Sequence, residues 1–296
     1  MELNLGSYLK QASKALKHIG LPTPELDIQI LVSSVLKKER SWIIANPDFT
    51  LSLDQIKEVN KFLSRRLNHE PVAYILGKSE FYGRELAVTP DTLQPRPESE
   101  TMIELLLETE GRRQKIEDGR SLVIDVGTGS GCLAITAALE LQKLDASKSQ
   151  PETRDYFAID ISPAALKVAR NNARNYGVKI AFHRGSLLEP IRTQLTTNNS
   201  QLIILANLPY VPNAHTINEA ARHEPDIAIF GGEDGLDLYR ELFTQLDNHN
   251  SKSTTVYTES LPPQHHSLKI LAQKHGFKLV EERDFIQVFC RSTEQE

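Results

Sequence analysis

Apolar positions recur at helical spacing through the first quarter of the chain and then change period. Leu5, Leu9, Ala12, Leu16 and Ile19 are three or four residues apart, and Gly20 ends the run. Thr23-Pro24 reads as an N-cap followed by proline at the first helical position, with Ile28, Leu31, Val32 and Val35 as the apolar face. Ser52 and Gln55 form a capping-box pattern ahead of Ile56, Val59, Phe62, Leu63 and Leu67. These segments predict a small helical bundle. Phe81 to Val88, around Gly83, reads as a hairpin, and Pro90, Pro95 and Pro97 mark a connector.

From Ser121 onward short apolar runs alternate with helical patterns. Strands are expected at Leu122–Val126, Tyr156–Ile159, Lys179–His183, Leu202–Ala206 and Thr254–Tyr257, with a closing hairpin at Phe277–Val280 and Phe285–Cys290. Helices are expected from Ser130 to about Leu141 and, capped by Ser162-Pro163, as far as Gly177. The polar stretches Gln142–Asp155 and Arg192–Gln201 read as surface loops. Such alternation predicts an α/β fold with a doubly wound, Rossmann-like sheet that takes ligands at its strand ends. The expected organisation is a helical domain over 1–76, a hairpin and proline-rich linker over 77–97, and an α/β domain over 98–296.

Composition narrows the function classes. The 296 residues carry a formal charge of -5, so the chain as a whole is not a nucleic-acid polycation. Lys37-Lys38-Glu39-Arg40 and Arg65-Arg66 read as solvated helix faces. The two cysteines, Cys132 and Cys290, form no CxxC pair, and Cys132 reads as a small inert residue behind a glycine loop, which fits a reducing compartment. His215, His223, His265 and His266 show no ligand spacing and read as surface histidines, so no metal is expected. Met1-Glu2-Leu3-Asn4 shows no basic n-region or apolar core, and no apolar run approaches membrane-spanning length. A cytoplasmic location is expected.

Three local features carry chemistry. Asp125-Val126-Gly127-Thr128-Gly129-Ser130-Gly131 is a strand-to-helix glycine loop with GxGxG spacing, distinct from the GxGxxG dinucleotide pattern. Asp160 closes the next strand, where a carboxylate accepts hydrogen bonds from ribose hydroxyls or caps the following helix. An acid inside the turn, Asp125, would repel a pyrophosphate and is better placed to orient the loop or attract an ammonium group. Asn207-Leu208-Pro209-Tyr210 follows a buried-strand pattern, and combines an amide oxygen, a backbone carbonyl ahead of proline and an aromatic ring. That set suits a planar NH2 group, with two acceptors for its hydrogens and a face for its π-system. Together these features suggest methyl transfer from S-adenosylmethionine to a planar nitrogen.

The same residues resemble class I S-adenosylmethionine methyltransferases, and further segments resemble the PrmC/HemK family. These are Pro71-Val72-Ala73-Tyr74-Ile75-Leu76-Gly77, Glu80-Phe81-Tyr82-Gly83, Gln94-Pro95-Arg96-Pro97-Glu98-Ser99-Glu100, Glu224-Pro225 and Gly231-Gly232-Glu233-Asp234-Gly235-Leu236 with Tyr239. The resemblance implies methylation of the glutamine side-chain amide in the GGQ motif of peptide chain release factors, with the helical domain docking that protein substrate. It implies cofactor contacts from Asp125, Gly127, Thr128, Gly129, Ser130, Gly131, Asp160, Ser186, Leu187 and Asn207, and catalysis by Asn207, Leu208, Pro209 and Tyr210. Arg96, Pro97 and Glu98 resemble a segment closing over the methionine half of the cofactor, and read equally as a plain linker.

Three positions depart from the family pattern. Leu208 stands where NPPY has its first proline, which implies a less rigid loop, and Ser186 stands where the family often has an acid near the adenine. The ending Arg283-Asp284-Phe285-Ile286-Gln287 lacks the usual glycine. NLPY also occurs in ribosomal-RNA adenine dimethyltransferases, so an adenine-N6 methyltransferase acting on RNA or DNA stays open, as does a non-catalytic relative.

Overall fold

The computed structural model describes residues 4–112, 120–148, 152–197, 201–247, 251 and 253–292. Two units separate by their contacts: one holds the chain up to Lys78 together with Ile217–His223, the other Ser79–Thr216 and the chain from Glu224.

The first unit is the helical bundle. Helix α1 (Leu5–His18) is capped by Asn4, whose side chain accepts from Ser7 N at 2.9 Å, and it buries Leu5, Tyr8, Ala12 and Leu16. In α2 (Pro24–Leu36) Thr23 occupies the N-cap position, but its hydroxyl donates to Asp27 Oδ1 at 2.8 Å instead of accepting from the backbone. A short α3 (Arg40–Ala45) precedes α4 (Leu53–Leu67), whose capping box is complete: Ser52 N donates to Gln55 Oε1 at 2.9 Å and Gln55 N to Ser52 Oγ at 3.2 Å. A fifth helix, α5 (Val72–Leu76), completes the unit. Arg66 departs from the expected solvated face. It is buried, donates to Asp27 Oδ2 at 2.7 Å, and closes the end of α4 by donating to the carbonyls of His69 and Glu70. The Ile217–His223 segment is tied to this unit by His223, whose Nε2 lies 2.9 Å from Asn68 O.

The second unit begins with the hairpin, β1 (Lys78–Phe81) and β2 (Arg84–Ala87), starting three residues earlier than the sequence pattern indicates. Helix α6 (Glu100–Arg112), to which the pattern assigned no element, buries Met102, Ile103, Leu105 and Leu106. The main sheet comprises β3 (Arg120–Val126), β4 (Thr153–Asp160), β5 (Ala181–Arg184), β6 (Gln201–Ala206), β7 (Ser253–Glu259), β8 (Lys278–Arg283) and β9 (Ile286–Ser292). Its order is β5-β4-β3-β6-β7-β9-β8, parallel from β5 to β7, with β9 antiparallel to both neighbours. Every residue of β6 is buried, as expected for a central strand covered on both faces. The crossovers are α7 (Cys132–Ala146), α8 (Pro163–Asn175), α9 (Arg192–Thr197), α10 (Asp237–Leu246) and α11 (His265–Lys274).

Both expected surface loops are partly regular structure. Helix α7 runs on to Ala146, β4 starts at Thr153, and α9 occupies Arg192–Thr197; residues 149–151 and 198–200 lie outside the described set. The polar residues that suggested a loop are internal partners. The side chain of Arg154 is buried and pairs with Asp145 at 2.7 Å, Glu110 at 2.9 Å and Glu152 at 2.9 Å. Strands β4 and β6 flank β3, so the chain departs in opposite directions from β3. In an open α/β sheet this reversal places a crevice at the carboxyl ends of those strands.

Candidate active site

The glycine loop leaves β3 at that crevice. Gly127, Gly129 and Gly131 take φ of 74°, 55° and 84°, a region that side chains with a Cβ rarely adopt. Asp125 is buried beneath the turn. Its Oδ2 accepts from Thr128 Oγ1 at 2.6 Å and from Ala134 N at 3.0 Å, so the carboxyl ties the loop to the first turn of α7. Its Oδ1 is buried with no partner among the described residues. Burial pushes this carboxyl up to about 7, against the hydrogen bonds from Thr128 and Ala134 that lower it.

This shift has a consequence for stability. An ordinary aspartate releases its proton near 3.8, so folding takes up a proton between that value and about 7. The contribution of Asp125 is therefore full below the unfolded value and falls as pH rises through the window. Asp125→Asn does not titrate. Wild-type stability minus variant stability should decline across the window in urea unfolding at stepped pH; a flat difference would contradict the assignment.

Asp160 ends β4 beside the loop. Its Oδ2 accepts from Gly129 N and its Oδ1 from Ser162 N, each at 2.8 Å, and burial raises its pKa against these bonds. The loop and Asp160 border a cleft of about 190 Å³. Among the residues singled out in the sequence, Gly127, Gly129, Asp160, Ser186, Leu187, Asn207, Leu208 and Pro209 line it. Asp125, Thr128, Ser130, Gly131 and Tyr210 do not; the first two work beneath the loop, holding its shape. Ser186 donates to Glu241 Oε1 at 3.3 Å. Apolar walls that the sequence reading missed come from Leu93, Ile161, Ile227 and Leu238. Ile161 and Ile227 are 52% and 61% exposed, so apolar surface stands open on this cleft. Neither Arg96 nor Glu98 lines it; Arg96 instead donates to both carboxylate oxygens of the buried Glu224, at 2.8 and 2.6 Å.

Asn207 to Tyr210 follow the carboxyl end of β6. The Asn207 amide nitrogen donates to Ser99 Oγ at 2.9 Å, and Ser99 Oγ donates to Glu259 Oε2 at 2.6 Å. Tyr210 donates its hydroxyl to Glu259 Oε1 at 3.0 Å. Burial raises the pKa of Glu259, opposed by hydrogen bonds from Ser99, Tyr210 and Asn207. The phenol of Tyr210 is raised by burial and then by Glu259. Leu208, which stands where the family pattern has proline, turns its side chain inward. Its side chain is 2% exposed within the core, and a Cβ built on Gly127 would sit 3.3 Å from its Cδ2.

The other side of the loop is held through its backbone. Val211 bridges Phe230, and Gln264 Nε2 donates to Tyr210 O at 2.8 Å and to Asp234 O at 2.7 Å. Glu259 and Gln264 were not singled out in the sequence, and Ser99 was named only as part of the family-like segment Gln94–Glu100. Only Glu259 had a local signal, an acid just after an apolar strand, the same signal that marked Asp160. His265 is buried rather than at the surface, and Cys132 is half-buried, with desolvation pushing its thiol up to about 12. Among the described residues no group of His, Cys, Asp or Glu side chains could hold a metal ion, and no helix is long and apolar enough to cross a membrane.

The strand order, the glycine loop and the cleft define a methyltransferase of Rossmann-like fold. Residues 117–226 match the family described as a methyltransferase domain, and residues 7–77 match the PrmC N-terminal domain. The chain is 35% identical over 248 residues to the release factor glutamine methyltransferase of Koribacter versatilis, covering 81% of this chain and 82% of that protein. It is 30% identical over 285 residues to the release factor glutamine methyltransferase of Coxiella burnetii, covering 95% and 94%. The chain belongs to the release factor glutamine methyltransferase family. Its fold is shared with the hMettl16 catalytic domain, solved in complex with a MAT2A 3′UTR hairpin, at a TM-score of 0.51 and 12% identity over 83% of this chain and 82% of that one.

Proposed function

We propose that this enzyme transfers a methyl group from S-adenosylmethionine to the side-chain amide nitrogen of the glutamine in the GGQ motif of peptide chain release factors. The observation that carries this reading is the meeting of Asn207, Leu208 and Pro209 with Gly127, Gly129 and Asp160 on one cleft. S-adenosylmethionine, when bound, supplies a methyl group activated by its sulfonium centre. The residues fit it: Asp160, at the rim of the cleft, is fixed by backbone N–H groups of Gly129 and Ser162 and offers carboxylate acceptor capacity to ribose hydroxyls. Gly127 and Gly129 let the backbone approach closely, and Ile161 and Leu187 offer apolar faces to the base.

An amide nitrogen is a weak nucleophile because its lone pair is delocalised into the carbonyl. The Asn207 side-chain oxygen and the Leu208 carbonyl would accept the two amide hydrogens and aim the nitrogen, which is a positioning effect. As positive charge develops on that nitrogen the same acceptors stabilise it more strongly than the ground state. Tyr210, tied to Glu259, is the aromatic neighbour of this clamp. No general base is needed if the acidified proton then leaves to water.

Two experiments test this reading. Asp160→Ala should weaken S-adenosylmethionine binding in calorimetry by roughly 1.5–3 kcal/mol, the worth of hydrogen bonds to a charged group; wild-type affinity would remove Asp160 from the cofactor site. With labelled S-adenosylmethionine, label should enter release factor and leave ribosomal RNA blank, with only weak slowing by moderate salt. A steep salt dependence and labelled RNA would favour an adenine acceptor.

A further inference from the structure

Glu259 is the buried acid that this clamp leaves unused. It ends β7, is 1% exposed, and each of its oxygens accepts one hydroxyl hydrogen, Oε2 from Ser99 and Oε1 from Tyr210. In its ionised form the carboxylate has no hydrogen to give, which fixes the direction of both bonds. Ser99 commits its only hydrogen to Glu259. Toward Asn207 it is then an acceptor, and the Asn207 amide nitrogen donates to it at 2.9 Å. An asparagine turned over by half a revolution would set its oxygen against an oxygen with no hydrogen between them. One amide orientation is therefore selected, with the NH2 end on Ser99 and the oxygen end free to face a substrate.

We propose that Glu259 is a positioning residue that selects, through Ser99, which end of the Asn207 amide meets the substrate, and so restricts the acceptor to an NH2 group. This rests on the reading of Asn207 as an acceptor for the substrate amide. The chemistry excluded is as informative as the chemistry taken. A glutamate or ester side chain brings oxygen where the Asn207 oxygen stands, and the fixed orientation denies it a donor. A freely turning asparagine would greet amide and carboxylate alike. The same carboxylate holds the Tyr210 hydroxyl, and the Tyr239 hydroxyl lies against the carbonyls of Glu259 and Ala206, so β6, β7, α10 and the linker before α6 meet at one buried point.

The test uses the full-length protein as wild type, Glu259→Gln and Ser99→Ala. Glu259→Gln keeps the shape but offers an NH2 to one of two hydroxyls that need an acceptor. Ser99→Ala cuts the link to Asn207 and leaves the Tyr210 bond. Both should keep S-adenosylmethionine affinity in calorimetry and KM for release factor, while kcat falls about 10²-fold, as for a misaligned reacting group. In nitrogen-labelled protein the Asn207 side-chain NH2 should exchange with solvent faster in both variants than in wild type. That resonance needs no substrate. If wild type transfers nothing to release factor, the proposed substrate fails, while the exchange rates still decide the role of Glu259. Wild-type kcat in a folded variant, or unaltered Asn207 exchange in both, would overturn the proposal; should Glu259→Gln not fold, Ser99→Ala decides alone.

Discussion

Asn207→Ala should lose methyl transfer by roughly 10²–10³-fold while fold and cofactor affinity persist, the range seen when one preorganised polar group is removed from a reacting centre. The side chain is only half-buried and donates to Ser99 beside Glu259, so the stability cost is that of lost side-chain hydrogen bonding, about 1 kcal/mol. The acceptor for one substrate hydrogen disappears altogether. Transfer of label from S-adenosylmethionine, calorimetric affinity and thermal unfolding separate the three quantities. Near-normal turnover would move the reacting centre away from the end of β6.

Gly231→Ala should lose transfer by about 10²-fold without changing any group in the cleft. A Cβ at this position would lie 2.1 Å from Pro209 O and 2.7 Å from Gly235 O. Both neighbours are backbone, so relief requires moving the chain that carries the clamp, and displacement of a reacting geometry by about 1 Å is worth that factor. Overpacking at a close contact should also cost about 1–3 kcal/mol of stability. Gly111→Ala is the control. It lies in α6 with nothing within 4 Å of its added Cβ, and should raise stability by roughly 0.5–1 kcal/mol with activity unchanged. Full activity in folded Gly231→Ala would show that the loop after β6 adjusts freely.

How much of this was legible in the sequence depended on how far apart the partners stand. The capping box of Ser52 and Gln55 is a local device, and both its hydrogen bonds are present. The glycine loop, Asp160 and Asn207–Tyr210 were legible because each is a strand end followed by turn residues, and the sheet order brings those ends together. Charges were misread where their partners lie elsewhere in the chain. Arg66 finds Asp27 across 39 residues and Arg154 finds Glu110 across 44, so both look like solvated surface in a local window. Ser99 and Glu259 are 160 residues apart, and nothing near either announces the other. Leu208 read as a lost proline because sequence shows the backbone constraint that is missing and hides the burial of the side chain in the core.

The identity of the methyl acceptor is open to direct measurement. Intact release factor incubated with this enzyme and S-adenosylmethionine, then digested and read by mass spectrometry, should carry a single added methyl group on the glutamine of its GGQ motif, and Gln→Ala at that position in the substrate should abolish labelling. Methylation at another residue, or labelling that survives the substitution, would contradict the proposed acceptor.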